Sequence, residues 1–283
     1  MSLAAAVPAA THTIGILAGS GSLPLLLIAA CRAGGREPFV VAFNGFTDEA
    51  TVANVRHAWI DIAAVGKTFR ALREAGCDAV VLAGKMRRPS LSSLRPDARG
   101  LMVIAKVAAA GGDDALLRVL IAELEGEGFR VLGADDLLTD LIAPPGPLGA
   151  TAPTDAQRAD IRRGIAVARA LGAVDVGHAV VVQQGIVLGV EAVEGTDALL
   201  RRCGDLRREG APGVLVKLKK IAQERRADLP ALGPTTIEGL KAAGLAGVAF
   251  EADGTLVLGR ADLVAAADAA GLFVYSLSAQ ELA

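Results

Sequence analysis

The chain reads as an α/β protein of two domains, the first built on a mainly parallel sheet and the second on a mixed one. Three observations predict this. Short apolar runs without polar alternation, such as residues 38–43 (PFVVAF) and 79–83 (AVVLA), recur between helical stretches, as expected of strands buried on both faces of a parallel sheet. Residues 143–153 (APPGPLGATAP) hold four prolines and two glycines in eleven positions, and break the chain near its middle. The length of 283 residues exceeds the ~150 typical of one domain, and a composition of 52% hydrophobic and 21% charged residues suffices for buried cores.

In chain order, residues 13–17 form a β-branched, apolar first strand that runs into Ala-Gly-Ser-Gly-Ser and then an apolar helix over 23–33, ended by Gly34-Gly35. A strand, a glycine turn and a helix point backbone N–H groups at a phosphate. Gly19-Ser20-Gly21 lacks the third glycine of the dinucleotide fingerprint, and the chain holds no Walker sequence, so a tight turn and a ligand loop both remain open. Strands follow at 38–43, 56–60 and 79–83, with a helix at 67–75. Ligands of such sheets sit at the carboxyl ends of strands. That rule brings Gly19–Gly21 and the segment from Gly84 through Lys85 and Arg88 to one rim, where the bases either meet an anion or end a strand in solvent. Helices over 97–110 and 115–125 are separated by Gly111-Gly112-Asp113-Asp114, with Asp113 suited to an N-cap and Asp114 to the first turn. A strand at 130–132 and a helix at 134–141 complete a Rossmann-like domain, residues 1–145.

The second domain, residues 146–283, opens on a helix over 154–171 with Ile161, Ile165, Ala168 and Leu171 at helical spacing. Strands at 179–183 and 186–193 join through Gln184-Gly185 as a hairpin. Glu194-Gly195-Thr196-Asp197 then ends a strand and starts a helix, which accounts for these polar residues unless they form a ligand shelf. A strand at 213–217, a helix at 236–243, a hairpin of 247–251 with 256–258 across Asp253-Gly254, a helix at 261–270 and a strand at 273–276 complete a mixed sheet.

Totals narrow the function. A formal net charge of −2 provides no global field for nucleic acid or an anionic membrane. Three cysteines, Cys31, Cys77 and Cys203, lie far apart and form no CxxC, which predicts buried structural thiols in a reducing compartment. Three histidines leave little material for a histidine metal site or a triad. The alanine-rich start carries no positive residue before its apolar stretch, unlike a signal peptide, and no run reaches the ~18 apolar residues of a spanning helix. A soluble, cytoplasmic protein is expected.

The chemistry is expected between Lys217 and Gly233. Five bases, Lys217, Lys219, Lys220, Arg225 and Arg226, fall within ten positions directly after an apolar strand, with Gln223, Glu224 and Asp228 among them. Clustered bases neutralise phosphate oxygens, and a carboxylate among them can hold Mg²⁺. The competing reading is a solvated basic loop.

Taken together the motifs resemble the LpxI family, the UDP-2,3-diacylglucosamine pyrophosphatases of lipid A biosynthesis in Gram-negative bacteria. They are GSGSLP at 19–24, Gly84-Lys85 with Arg88-Pro89, GDDALL at 112–117, DVG at 175–177, VEAVEGTD at 190–197, and Lys217, Lys220, Gln223, Arg226, Asp228, Leu229 and Pro230. The resemblance runs in order from Ile14 to the end. It implies a Mg²⁺-dependent hydrolase that splits UDP-2,3-diacylglucosamine into UMP and 2,3-diacylglucosamine 1-phosphate (lipid X), with water attacking the α-phosphorus and the product held between two domains. It makes Asp228 the essential residue, as metal ligand or orienter of water, with Lys217 and Arg226 as catalytic cations. Gly19, Ser20, Gly21, Gly84, Lys85, Arg88, Glu194, Gly195, Thr196, Asp197, Lys220 and Gln223 become substrate-binding residues. Transient contact with the cytoplasmic face of the inner membrane and a homodimer are further implications. Glu224, Ile221 and His178 depart from the family pattern, which has Asp, Pro and Gln there. The rival readings are a nucleotide-cofactor enzyme using Gly19–Gly21, and a non-catalytic module that only recognises nucleotide or lipid phosphate.

Overall fold

The computed structural model describes residues 13–86, 90, 94–110, 113–220, 224–226 and 229–283, with the side chains of 110 and 113–115 excepted. Contacts divide these into two compact units. The first runs through Thr139 and takes in residues 224–226, and the second holds 140–220 and 229–283.

The first unit is a five-stranded, wholly parallel sheet. Its elements are β1 (Thr13–Ala18), α1 (Leu23–Ala33), β2 (Glu37–Phe43), α2 (Glu49–Val52), β3 (Arg56–Ile60), α3 (Val65–Glu74), β4 (Ala79–Ala83), α4 (Ala98–Ala110), α5 (Asp113–Gly126), β5 (Arg130–Leu132) and α6 (Ala134–Leu137). The strand order β3-β2-β1-β4-β5 reverses direction between β1 and β4, where open α/β sheets place their ligand crevice. All of β4 is buried, and Leu17, Phe39, Val41, Phe43, Leu72, Val80 and Leu124 share one core, which accounts for runs without polar alternation. Asp97 precedes α4 and caps it, Oδ1 accepting from the Gly100 N–H at 2.8 Å, while Oδ2 accepts from the Lys67 N–H at 3.0 Å. The helix predicted from 115 already begins at Asp113, and the Asp113 and Asp114 side chains lie outside the described residues.

The second unit comprises β6 (Gly146–Pro147), α7 (Asp155–Ala173), β7 (Ala179–Gln183), β8 (Ile186–Val190), α8 (Thr196–Asp205), β9 (Val214–Lys217), β10 (Ala231–Leu232), α9 (Pro234–Ala242), β11 (Gly247–Glu251), β12 (Leu256–Val257), α10 (Arg260–Ala270), β13 (Phe273–Leu277) and α11 (Ala279–Leu282). Six strands form a sheet in the order β6-β13-β11-β9-β7-β8, with β13, β11 and β9 parallel and the rest antiparallel. Alternation along the strands feeds two cores. Val180, Val182, Val214 and Val216 face Ile161 and Ile165 of α7, whereas Val181 and Leu215 face Leu199, Leu200 and Leu240 of α8 and α9. Thr154 caps α7 through a reciprocal pair with Gln157. The β7–β8 hairpin turns at Gln184 and Gly185 as expected, with φ of 52° and 77°, and its two N–H groups donate to the buried Asp160 carboxylate at 2.9 and 2.6 Å.

Residues 247–251 and 256–258 do not form the expected hairpin. Both edges of β11 are taken by β9 and β13, so the turn at 252–254 sends β12 into a separate two-stranded parallel sheet with β10. A strand buried from Gly247 to Phe250 is suited to parallel neighbours on both edges. The strand predicted to 193 stops at Val190. Within the proline-rich stretch, β6 pairs antiparallel with β13 and the Leu148 N–H donates to the Val274 carbonyl at 2.9 Å, so residues from 140 onward pack with the second unit. All three cysteines are buried, and burial pushes the Cys31 thiol up to about 11 and Cys77 to about 12. Such thiols are structural and unreactive.

Candidate functional site

The carboxyl edge of the first sheet gathers the predicted glycine turn and the loop after β4 within that unit. Ser20 and Lys85 form an antiparallel bridge, with Ser20 N–H donating to the Lys85 carbonyl at 3.0 Å and Lys85 N–H to the Ser20 carbonyl at 2.9 Å. The Gly19 N–H donates to the Ala83 carbonyl at 2.7 Å, and the Gly21 N–H to Asp48 Oδ2 at 2.9 Å. The three amides of the turn are therefore engaged inside the protein, and a carboxylate sits where a phosphate cradle would open. Two backbones touching at this bridge account for the glycines: a Cβ on Gly19 would lie 2.5 Å from the Lys85 carbonyl oxygen, and one on Gly84, at φ 95°, 2.7 Å from that of Ser20. Thr47 reinforces the edge by donating to the Ala18 carbonyl. Arg88 lies outside the described residues.

In the second unit the last residue of β9, Lys217, is buried, and its ammonium donates to Thr196 Oγ1 at 3.1 Å and to the Ala231 carbonyl at 3.0 Å. Thr196 is the first residue of α8, placed there by Gly195 at φ 78°, and its hydroxyl donates to Glu191 Oε1 at 2.7 Å. Glu191 is buried, and its Oε2 lies 3.3 Å from His178 Nε2. Lys220 pairs with Asp175 at 2.8 Å, and the Lys219 N–H donates to Glu251 Oε2 at 3.1 Å. Glu194 faces Arg202 at 2.7 Å, and its own backbone N–H together with that guanidinium holds its carboxyl below the usual carboxylate range. Asp197 lies in the first turn of α8, where the helix dipole favours a carboxylate. Lys217, Lys220, Glu194, Gly195, Thr196 and Asp197 thus all belong to this unit, on β9 and the segments flanking it and α8.

Arg225 and Arg226 make their described contacts within the first unit. Arg225 pairs with Asp135 at 2.6 Å, and Arg226 with Glu125 at 2.5 Å and Glu224 at 3.0 Å. The Glu224 carboxylate beside it raises the Arg226 pKa further, and the same hydrogen bond lowers that of Glu224. Asp228 and Gln223 lie outside the described residues. Among the described residues no group of three or more His, Cys, Asp or Glu side chains is arranged to hold a metal ion. The described carboxylates around the basic strand end accept from Thr196, Lys220 and a backbone amide.

Glu191 and Asp48 were not singled out from sequence as site residues. The signal available for Glu191 was an acid between Val190 and Ala192 at the end of an apolar strand, a place where an unpaired charge is costly. Asp48 gave no such signal, since an acid before Glu49 reads as an ordinary helix start.

A parallel sheet that reverses at a glycine turn, followed by a mixed sheet that buries a lysine against a helix start, defines a two-domain α/β protein. Two family models cover it nearly end to end, the LpxI N-terminal domain over residues 13–141 and the LpxI C-terminal domain over 144–275. Over 276 residues the chain is 45% identical to a protein of Caulobacter vibrioides named UDP-2,3-diacylglucosamine pyrophosphatase LpxI, covering 95% of this chain and 98% of that one. The chain belongs to the LpxI family.

Proposed function

We propose that this chain is a UDP-2,3-diacylglucosamine pyrophosphatase of lipid A biosynthesis. The observation that carries this reading is its 45% identity, across 95% of its length, to the Caulobacter protein of that name. Water adds to the α-phosphorus, the bond from that phosphorus to the bridging oxygen breaks, and the products are UMP and 2,3-diacylglucosamine 1-phosphate, with the two protons of the water passing to the new phosphate groups and, as these ionise, to solvent. Negative charge grows on the bridging oxygen as it leaves, and cations held in place stabilise it. Lys217 suits this role because two acceptors restrain its ammonium at a strand end. Asp228 would orient the attacking water or hold a magnesium ion, which when bound would supply charge neutralisation at the phosphates.

The nucleotide-cofactor alternative is weakened because the amides of Gly19, Ser20 and Gly21 are engaged within the fold. Among the described residues no helix is long and apolar enough to cross a membrane. Access to a doubly acylated substrate then calls for transient contact with the cytoplasmic face of the inner membrane, and a homodimer belongs to the same reading.

The test is UMP release from UDP-2,3-diacylglucosamine in ¹⁸O-water, with magnesium and with chelator. Label in UMP, loss on chelation, and a fall of at least about a hundredfold in Asp228→Ala are expected, the size seen when one transition-state interaction is removed. UMP at background in the unaltered chain refutes the reading.

A further inference from the structure

Lys217 and Glu191 are opposite charges, 5% and 4% exposed, joined through a single hydroxyl. An ammonium has donors and no lone pair, so the Lys217–Thr196 contact of 3.1 Å uses the hydroxyl oxygen as acceptor. The one hydroxyl proton then points to Glu191 Oε1 at 2.7 Å, since a carboxylate only accepts. Chemistry alone sets the direction of the chain, from Lys217 through Thr196 to Glu191. The far side of Glu191 is held as well, its Oε2 3.4 Å from the His178 N–H and 3.3 Å from His178 Nε2. The four residues come from the end of β9, the start of α8, the segment after β8 and the residue before β7.

We propose that Glu191 and Thr196 are positioning residues: the Glu191 carboxylate aims the Thr196 hydroxyl, and that hydroxyl holds the Lys217 ammonium in place for an anionic substrate. This deepens the pyrophosphatase reading and rests on it for the role of Lys217. A lysine stem of four rotatable carbons gains precision only where acceptors restrict it, and here Thr196 and the Ala231 carbonyl at 3.0 Å do so. The buried Glu191 charge also offsets the burial of the ammonium. The Thr196 proton points to Glu191, so it is the hydroxyl oxygen that faces the lysine.

The test uses the full chain, with steady-state UMP release and thermal melts for Glu191→Gln, Thr196→Val, Thr196→Ser, Lys217→Met and the Lys217→Met/Thr196→Val double variant. Expected are a fall in kcat of about tenfold for Glu191→Gln and about ten- to a hundredfold for Thr196→Val, with KM within about threefold. Thr196→Ser, which keeps the hydroxyl, recovers most of the loss, and Thr196→Val adds nothing once Lys217 is Met. The Val and Ser pair keeps the test open even where Glu191→Gln fails to fold. Additive losses in the double variant, equal damage from Ser and Val, or an unchanged kcat in Lys217→Met with the unaltered chain active each overturn the inference alone. An unaltered chain that releases no UMP overturns the pyrophosphatase reading, and this inference with it.

Discussion

Gly19 and Gly21 sit two residues apart in one turn and answer to different forces. Gly19 is required by distance, because its hydrogen faces the Lys85 carbonyl where a methyl carbon would meet that oxygen at 2.5 Å. Gly21 is required by backbone angle, at φ 95° with nothing within 4 Å of an added Cβ. Gly19→Ala is therefore expected to cost about 1–3 kcal/mol, since two hydrogen-bonded backbones must separate. Gly21→Ala is expected to cost about 1 kcal/mol from left-handed strain alone. Denaturant melts of the two variants check this, and a Gly19→Ala variant as stable as the unaltered chain would refute the account of the loop bridge. At the same scale, Arg225 and Arg226 show that clustered bases need not present free charge: their described partners Asp135 and Glu125 stand 90 and 101 positions earlier in the chain.

At the level of elements, the β7–β8 hairpin depends on a helix. Gln184 at φ 52° and Gly185 at φ 77° make a turn whose two N–H groups point inward to Asp160 of α7. Removing that acceptor leaves two donors over a buried site, so Asp160→Ala is expected to destabilise the chain by about 1–3 kcal/mol and lower its melting temperature by several degrees. Asp160→Asn, which keeps one acceptor oxygen, loses less. An Ala variant as stable as the unaltered chain would show that water satisfies the turn without α7. The pairing of β11 follows the same logic of context. A strand with Val248, Ala249 and Phe250 buried is stabilised by neighbours on both edges, and the short path to β12 does not outweigh them.

For the molecule as a whole, lowered carboxyl pKa values make stability depend on pH. The Lys106 hydrogen bond, then Arg99, lowers Glu123, Arg226 lowers Glu224, and the Glu194 backbone N–H with Arg202 lowers Glu194. In each case the unfolded chain takes up its proton near the ordinary value of 4.5 while the native carboxyl is still ionised, so unfolding binds protons below that pH. The stabilisation is complete above 4.5 and is lost as pH falls through the lowered native values. Unfolding free energies measured between pH 6 and about 3 should decline steadily below about pH 5, and the decline should be shallower in Glu123→Gln. A flat profile over that range would mean that these pairs are as well formed in the unfolded chain.

Much of this architecture was legible along the chain. Uninterrupted apolar runs announced strands buried on both faces, Gln184-Gly185 announced a hairpin, Thr154 announced a helix start, and the bases from Lys217 to Arg226 announced a charged segment. Each signal lies within a few residues of what it predicts, because turn chemistry, capping and side-chain periodicity act between near neighbours. Tertiary structure alone decided that β11 lies between β9 and β13, that the amides of the glycine turn are already satisfied, and that Glu191 stands behind Thr196 and Lys217. Those outcomes depend on which distant segments meet. A buried polar group must find its partner wherever packing brings one, and sequence spacing carries no record of that meeting.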